Sequence, residues 1–169
     1  MTKFFITLLI ATCLGSIVAE AKTMKVSSAK AAVATVEIPD GWDPDDMEGG
    51  GATGHNEETA IYVTASPKKE DAQADLEDTF SLLKVLGSIE VDQASKKTSK
   101  IKVNGLDAEE MHFQGKETLG RHVNQVSIIV VRLPIKDKVV VLTANFAIEN
   151  AKKVAEEVEK IIQSLKAVG

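Results

Sequence analysis

The sequence is poor in cysteine, proline and aromatic residues, and each shortage excludes a class of protein. A single cysteine, Cys13, among 169 residues excludes a scaffold held together by disulfides. With 4 prolines and 11 glycines, the chain is neither collagen-like nor a low-complexity linker. Aromatic residues make up 4% of the chain, while 44% of it is hydrophobic. A globular core must therefore be built mainly from Val, Ile, Leu and Ala.

The chain also lacks an excess of positive charge. Its 20 Lys and Arg residues stand against 25 Asp and Glu residues, which gives a formal net charge of -5. Proteins that bind nucleic acid usually carry a basic surface, and no aromatic stacking motif compensates for its lack here. The sequence therefore argues against a nucleic-acid partner. Its length suits one domain and a targeting segment.

Residues 1–21 have the pattern of a secretory signal peptide. Lys3 precedes an apolar run over residues 4–11, and Ala19-Glu20-Ala21 has the small-x-small pattern that a signal peptidase recognises. The run is short for a membrane anchor, which needs about 20 apolar residues. The pattern predicts cleavage after Ala21 and a periplasmic or secreted mature chain, with no stable membrane span and no cysteine.

Cys13 raises the alternative of a lipoprotein, because a lipidated cysteine also follows an apolar run. Thr12 is a poor residue immediately before such a cysteine, where Gly or Ala is usual. Apolar sequence also continues after Cys13, which a lipidation motif does not require. The sequence therefore favours cleavage after Ala21 over lipidation.

The periodicity of the remaining chain predicts an α+β fold. Residues 22–32 are polar and small and are predicted to be flexible, whereas 89–97 and 114–120 read as connectors. No strand alternates with helices in the manner of a parallel α/β protein, so we expect an antiparallel sheet of about six strands packed against helices. The predicted strands are residues 33–38, 60–65, 100–103, 106–113, 121–133 and 139–148, and the predicted helices are residues 70–86 and 149–168.

Asn104-Gly105 is the strongest local signal. This dipeptide between two apolar-polar alternating runs is typical of a two-residue hairpin turn, because both central residues must take positive φ. Pairing across the turn places Val103 opposite Leu106 and Ile101 opposite Ala108. Farther along, Met111 and Phe113 have the other parity. Either this strand is buried on both faces, or a bulge near Glu109-Glu110 shifts its phase.

Two later runs indicate strands at the centre of a sheet. Residues 128–131 are wholly apolar, as are residues 139–142, and the short polar segment 134–138 joins the two runs. Strands with one exposed face alternate in polarity, whereas strands covered on both faces do not. We therefore expect this antiparallel pair to lie in the middle of the sheet.

Three segments together resemble the Mog1/PsbP-like fold. They are IPDGW at 38–42, VNGLDA at 103–108 and IIQSLK at 161–166, and the resemblance spans residues 33–166. It implies one domain over residues 33–168, with Trp42 in the core. It also implies a scaffold that binds other proteins, without catalytic residues shared across the family.

The sequence offers no catalytic or phosphate-binding motif. It contains no G-x-S-x-G, and its cysteine precedes the predicted cleavage site. The glycine-rich GGGATG at 49–54 is followed by His55 and Asn56, where a phosphate-binding loop needs Lys and Ser or Thr. We therefore expect neither an enzyme nor a bound cofactor.

Two weak metal patterns compete with ordinary surface residues. His112 and His122 flank a predicted turn, and Glu110 and Asn124 lie two residues from them, so the four side chains could converge on a metal ion. An acidic run could offer oxygen ligands to Ca²⁺, but it lacks the spacing of an EF-hand loop. We expect surface histidines, a solvated acidic loop and no metal site. The acidic run consists of Asp40, Asp43, Asp45, Asp46 and Glu48.

The acidic and glycine-rich segment 43–58 is the predicted interaction loop, and a short strand near Met47 is the alternative within it. It has no apolar stripe, and long irregular loops in compact domains are often functional. Its charge favours a basic surface on another envelope or periplasmic protein. The alternative is a small-ligand or metal carrier of the cell envelope. The residues assigned to the loop are Asp43, Asp45, Asp46, Glu48, Gly49, Gly50, Gly51 and His55.

Overall fold

The computed structural model describes residues 20–28, 31–57, 59–67 and 72–168. These residues form ten strands and two α-helices, with short 3-10 helices at Asp40–Trp42 and Ile148–Asn150. The strands are β1 (Ala21–Ser28), β2 (Ala31–Pro39), β3 (Asp45–Asp46), β4 (Ala52–Asn56), β5 (Thr59–Pro67), β6 (Ile89–Val103), β7 (Leu106–Leu119), β8 (His122–Ile135), β9 (Lys138–Ala147) and β10 (Lys166–Ala167), and the helices are α1 (Ala72–Gly87) and α2 (Ala151–Ser164).

The strands form two antiparallel sheets. The larger has seven strands in the order β3-β4-β5-β9-β8-β7-β6, and the smaller has three in the order β1-β2-β10. Every strand pair in both sheets is antiparallel. The predicted α+β class is confirmed, but the described residues form ten strands rather than about six.

The seven-stranded sheet is covered on both faces. One face packs against the three-stranded sheet and α2, in a core that contains Val131, Leu142 and Ile162. The other face packs against α1, in a core that contains Leu83 and Ile128. Successive residues of β8 enter opposite cores, which explains its uninterrupted apolar run. The predicted central position of β8 and β9 is confirmed.

The predicted β6–β7 hairpin is also confirmed. Val103 pairs with Leu106 and Ile101 with Ala108. Asn104 and Gly105 have φ of 48° and 83°, as the two-residue turn requires. The Asn104 Nδ2 atom also donates hydrogen bonds to the carbonyl oxygens of Gln163 at 2.9 Å and Leu165 at 2.7 Å. The turn therefore satisfies backbone acceptors at the end of α2.

The change of phase in β7 comes from burial on both faces. Ala108 belongs to the core beneath α2, whereas Met111 and Phe113 belong to the core beneath α1. The pairing of β7 is continuous through Glu109-Glu110, and the irregularity lies in β6, between Asp92 and Lys97. A bulge at Glu109-Glu110 is therefore wrong.

Three segments predicted to be irregular are strands, so those predictions are wrong. Residues 22–28 form most of β1 and residues 31–32 begin β2, because Met24 and Val26 are buried between the sheets. Residues 89–97 form the first part of β6, an edge strand whose exposed face is polar. Residues 114–120 extend β7 to Leu119. Polar sequence in an edge strand or a long hairpin resembles a loop, because only long-range pairing makes it a strand.

The ends of the two helices also differ from prediction. Helix α1 ends at Gly87, and Ser88 follows it in the left-handed conformation, with φ of 51°. Helix α2 ends at Ser164, and the following residues form β10, which pairs with β2. The apolar side chains of α2 are buried, and they are Val154, Val158, Ile161 and Ile162.

Candidate functional site

The segment predicted as the interaction loop is largely an ordered hairpin formed by β3 and β4. Its turn is closed by hydrogen bonds from Met47 N to Gly51 O at 2.9 Å and from Gly50 N to Met47 O at 3.1 Å. Gly49 and Gly50 have φ of 89° and 94°, a conformation that favours glycine. Ser27 N donates to Gly50 O at 2.7 Å and ties the turn to β1. An irregular loop is therefore the wrong description of this segment.

The acidic side chains of that segment are exposed on the outer edge of the sheet. Asp43, Asp45, Asp46 and Glu48 all belong to this exposed set. His55 Nε2 lies 3.7 Å from Asp43 Oδ2, at the rim of a cleft. Of the residues assigned to the predicted interaction loop, His55 lines this cleft and the others do not.

The cleft lies at one end of the seven-stranded sheet. At this end β4, β7 and β9 finish, and β5 and β8 begin, so five strands contribute residues to it. Its volume is about 340 Å³, which falls within the range of small-ligand pockets. It is open to solvent and has both polar and apolar walls.

Two buried polar atoms in the cleft lining accept or donate no hydrogen bond. They are Asn145 Oδ1 and Thr59 Oγ1, on residues that are 6% and 4% exposed. A buried polar atom without a partner costs about 1–3 kcal/mol of folding free energy. Such atoms are rare in folded proteins, and each needs an explanation.

The cleft is negatively charged. Glu57, Glu117 and Glu149 line it, and among the described lining residues there is no Lys or Arg. Burial raises the pKa of Tyr62 above its ordinary value of 10.0, and the charge of Glu117 raises that pKa further. Tyr62 is partly buried against the core beneath α1.

Three large apolar side chains border the cleft and are exposed. Leu119 lines the cleft itself, whereas Val123 and Ile148 line an adjoining depression of about 480 Å³. Their exposed fractions are 54%, 60% and 41%. The two depressions share Asn124, Ala147 and Glu149, so they adjoin at this end of the sheet. Leu119 pairs with His122 and Val123 pairs with Thr118, so the Leu119 and Val123 side chains project from opposite faces of the β7–β8 hairpin. We call Val123 and Ile148, which line the same depression, the docking face.

The histidines considered as metal ligands lie apart. His112 pairs with Ile129, whereas His122 pairs with Leu119, seven residues farther along β7. At the rise of an extended strand, this separation is about 24 Å. His112 Nε2 instead lies 3.2 Å from Glu110 Oε2. Within the part of the chain that the structure describes, no three His, Cys, Asp or Glu residues are placed to hold a metal ion.

The sequence singled out few of the residues that build this site: His55, as part of the interaction loop, and Asn124, as a possible metal ligand. Asn145 lies in the apolar run of β9, and Glu117 lies in a segment predicted as a connector. Leu119 and Val123 flank the β7–β8 turn, where isolated apolar residues are common and carry no signal. The strand pairing that brings these residues together is long-range, so no local pattern announces the cleft.

In the described part of the chain, no helix has both the length and the apolar composition needed to cross a bilayer. The predicted signal peptide lies largely outside the described residues, since the description begins at Glu20. Ala21, the last residue before the predicted cleavage site, is the first residue of β1.

No family model matches the sequence, and no curated protein matches it. Solved structures do resemble the fold. The solution structure of cyanobacterial PsbP (CyanoP) from Synechocystis sp. PCC 6803 is 13% identical, with a TM-score of 0.51, and the match covers 94% of this chain and 99% of that one. A crystal structure from Bacteroides thetaiotaomicron is 12% identical, with a TM-score of 0.51, over 80% of this chain and 45% of that one.

The Ran-binding protein Mog1p of Saccharomyces cerevisiae gives a TM-score of 0.48 at 13% identity, over 88% of this chain and 97% of that one. At such identities a structural likeness shows the fold and not the activity. The match to CyanoP covers nearly the whole of both chains. The resemblance found in the sequence is thus confirmed at the level of architecture: the chain has the Mog1/PsbP-like fold.

Proposed function

We propose that this protein is an exported, non-catalytic protein-interaction module that binds a basic segment of another envelope protein. The observation that carries the proposal is the docking face, two large exposed apolar side chains beside an acidic cleft. Apolar side chains that border one continuous surface mark an interaction site more strongly than apolar side chains scattered singly. The proposed binding surface therefore lies at the end of the seven-stranded sheet and not at the β3–β4 hairpin, where the sequence predicted it.

Charge complementarity indicates the kind of partner. Glu149 lines both the cleft and the adjoining depression, and Glu57 and Glu117 line the cleft. A partner that places an apolar side chain on Val123 would bring its neighbouring residues near these carboxylates. Lys or Arg at those positions gains favourable electrostatic energy, whereas Asp or Glu is repelled. Association should therefore weaken as the salt concentration rises.

The composition of the cleft supports a non-catalytic role. Nucleophilic catalysis needs a nucleophile within hydrogen-bond reach of a general base. The lining residues that the structure describes include no Ser, Cys or Lys, and the Thr59 hydroxyl is shielded from solvent. His55, the nearest imidazole, points its Nε2 toward Asp43 at the rim. These side chains suit recognition of a charged group better than covalent chemistry.

Export is part of the proposal, and it rests on the signal-peptide pattern. Cleavage after Ala21 would make Lys22, in β1, the first residue of the mature chain. It would remove the hydrogen bond from Asp40 N to Glu20 O and leave the pairing of Lys22 with Ile38 in place. The intact mass of the protein recovered from the periplasm measures the cleavage site. A mature chain that begins at a lipidated Cys13 would contradict it.

The proposed docking face can be tested by placing a photo-crosslinking amino acid at position 123 in the native host. The matched control is position 106, because Leu106 is also an exposed apolar residue but lies in the turn at the other end of β7. We expect a defined protein partner to crosslink at position 123 and not at position 106. Equal crosslinking at both positions would contradict the proposal.

The captured partner then allows a quantitative test with purified proteins. Val123→Ser should weaken its binding by about tenfold, because a buried apolar side chain contributes about 1.5–3 kcal/mol. Leu106→Ser should leave the affinity unchanged. A partner that binds equally well to both variants does not use the docking face.

A further inference from the structure

We propose that the cleft is a binding site for a cationic hydrogen-bond donor, a primary ammonium or guanidinium group, with Asn145 as an acceptor and Glu117 and Glu149 as counter-charges. The site lies beside the docking face, but its ligand chemistry does not depend on a partner protein. The group can belong to a free amine or to a Lys or Arg side chain of a partner.

Asn145 lies at a position where a carboxamide side chain costs folding free energy. It occupies a central strand, and its direct neighbours across the sheet are Ala60 on β5 and Ile128 on β8. Neither neighbour has a side chain that can form a hydrogen bond, which explains why Asn145 Oδ1 has no partner. An apolar residue at this position would avoid the cost of about 1–3 kcal/mol. Stability therefore does not explain an Asn at position 145.

The Asn145 side chain can present its oxygen to a ligand. The residue lines the cleft, although Oδ1 itself is shielded from solvent. The terminal torsion of an Asn side chain has a broad energy profile, so the carboxamide can rotate at small cost. A donor in the cleft can then reach an acceptor that otherwise has none. Thr59 Oγ1, also without a partner, adds a second polar atom to the lining.

The negative charge of the cleft favours a positively charged ligand. Its described lining residues include three carboxylates and one imidazole, that of His55, which lies 3.7 Å from Asp43. Glu117 is partly buried, so its charge is less screened than that of a fully exposed side chain. Hydrogen bonds between ionised groups are about twice as strong as neutral ones. An anion would be repelled, and a neutral donor would leave the carboxylates without compensation.

The shape of the donor follows from the arrangement of acceptors. An ammonium group has three N–H donors and a guanidinium has five, and neither has an acceptor. Either group therefore has enough donors to bond Asn145 and to pair with a carboxylate of the same lining. A cleft of about 340 Å³ accommodates a short alkyl amine or the end of a basic side chain.

Tyr62 provides a built-in reporter for the site. It is the only tyrosine of the chain, and the charge of Glu117 contributes to the rise of its pKa. A cation bound beside Glu117 compensates that charge and should move the Tyr62 pKa back toward 10.0. The absorbance of tyrosinate, measured as the pH rises, follows this shift without a label.

The test uses the full chain after export, with putrescine and agmatine as free ammonium and guanidinium probes. Blocked tetrapeptides with a central Lys or Arg, and the same peptide with Gln, form the second arm. Binding is followed by NMR of the Asn145 side-chain amide and by the Tyr62 titration. We expect every cationic probe to shift the Asn145 amide near neutral pH and the Gln peptide to shift neither signal. Agmatine and the Arg peptide should also shift the Tyr62 titration, because a guanidinium, unlike an alkyl ammonium, keeps its charge above about pH 10. Binding of the free amines identifies a small-molecule site, and binding of the peptides alone identifies a partner's side chain.

Variants separate the proposed site from nonspecific attraction. Asn145→Val and Glu117→Gln should each weaken binding by about tenfold or more. Glu48→Gln removes an exposed carboxylate of the β3–β4 turn, outside the cleft, and should leave the affinity unchanged. Equal weakening by all three variants, or no shift of the Asn145 amide with any cationic probe, overturns the proposal.

The stability of Asn145→Val gives an independent check. The variant removes a buried polar atom without a partner, so it should unfold at the same or a higher denaturant concentration. A large loss of stability would show that Asn145 has a structural role and would contradict the inference that it serves ligand binding. Val123→Ser should leave binding of the free amines largely intact, because Val123 lines the adjoining depression and not the cleft. This variant distinguishes failure of the cleft from failure of the docking face.

Discussion

Asp75 of α1 and Arg132 of β8 form a buried ion pair between the helix and the seven-stranded sheet. Arg132 Nη2 donates to Asp75 Oδ2, and the exposed fractions of the two side chains are 12% and 2%. Arg132 Nη1 also lies 3.3 Å from Glu109 Oε2 on β7. Asp75 Oδ1 and Arg132 Nε are buried without hydrogen-bond partners. The pair therefore fixes the position of α1 on the sheet at a cost in desolvation.

Removal of one charge from this pair should destabilise the fold strongly. Asp75→Asn leaves the Arg132 guanidinium buried with only Glu109 to compensate it, and we expect a loss of about 3 kcal/mol in the free energy of unfolding. The matched control is Asp107→Asn, because Asp107 pairs with Lys102 at 2.6 Å on the exposed surface. An exposed pair contributes little, so the control should unfold nearly like the unaltered protein. Urea denaturation measures both, and equal effects would contradict the account.

The β6–β7 turn has two separable roles. Gly105→Val forces a β-branched residue to φ of 83° and should cost about 1 kcal/mol or more. Asn104→Gly keeps the turn conformation but removes both hydrogen bonds to the end of α2, so we expect a loss of about 1–2 kcal/mol. If Asn104→Gly unfolds like the unaltered protein, the contact with α2 does not contribute to stability.

Titration of Tyr62 tests the field of Glu117. The Tyr62 pKa is raised in the folded state, so the protonated phenol makes its full contribution to the free energy of unfolding below pH 10.0. This contribution is lost as the pH rises through the folded-state pKa. Glu117→Gln should lower the pKa of Tyr62, although burial will still hold it above 10.0. Glu149→Gln, on the same cleft, should have less effect. Tyrosinate absorbance in each variant measures the shift, and a pKa unchanged by Glu117→Gln would contradict the assignment.

Gly54 tests the close packing of the β3–β4 hairpin. A Cβ atom at Gly54 would lie 2.7 Å from Ile38 Cγ2 and 3.1 Å from Trp42 O. Gly54→Ala should therefore cost about 1–3 kcal/mol, because overpacking forces the neighbours to shift. A Cβ atom at Gly41 meets nothing within 4 Å, so Gly41→Ala is the control. Thermal unfolding of the two variants should differ clearly, and a similar midpoint would contradict this packing.

Strong local signals predicted the centre of the fold, and long-range pairing determined the rest. The apolar run at 128–131 identifies β8, because a strand buried on both faces needs consecutive apolar residues. Asn104-Gly105 identifies the β6–β7 hairpin, because its turn needs two residues that tolerate positive φ. By contrast, β1 and the first part of β6 are polar. They are strands because partners pair with them.

The candidate site was the least predictable part of the molecule. The acidic residues of 43–48 suggested a binding loop, yet the structure places them in and beside a hairpin at the sheet edge. Asn145 and Glu117 line the same cleft because β5, β9, β8 and β7 lie side by side in the sheet. A cleft formed at the ends of several strands depends on that order, which no single segment of the sequence encodes.

The most direct test of the central claim is NMR mapping of the surface that a partner covers. The partner captured through position 123 would be added to isotope-labelled protein, and backbone amide shifts would be followed. We predict that the shifts concentrate at residues 117–126 and 145–150. Shifts that concentrate at residues 43–51, or at the opposite end near residues 103–107, would contradict the assignment of the docking face and its cleft.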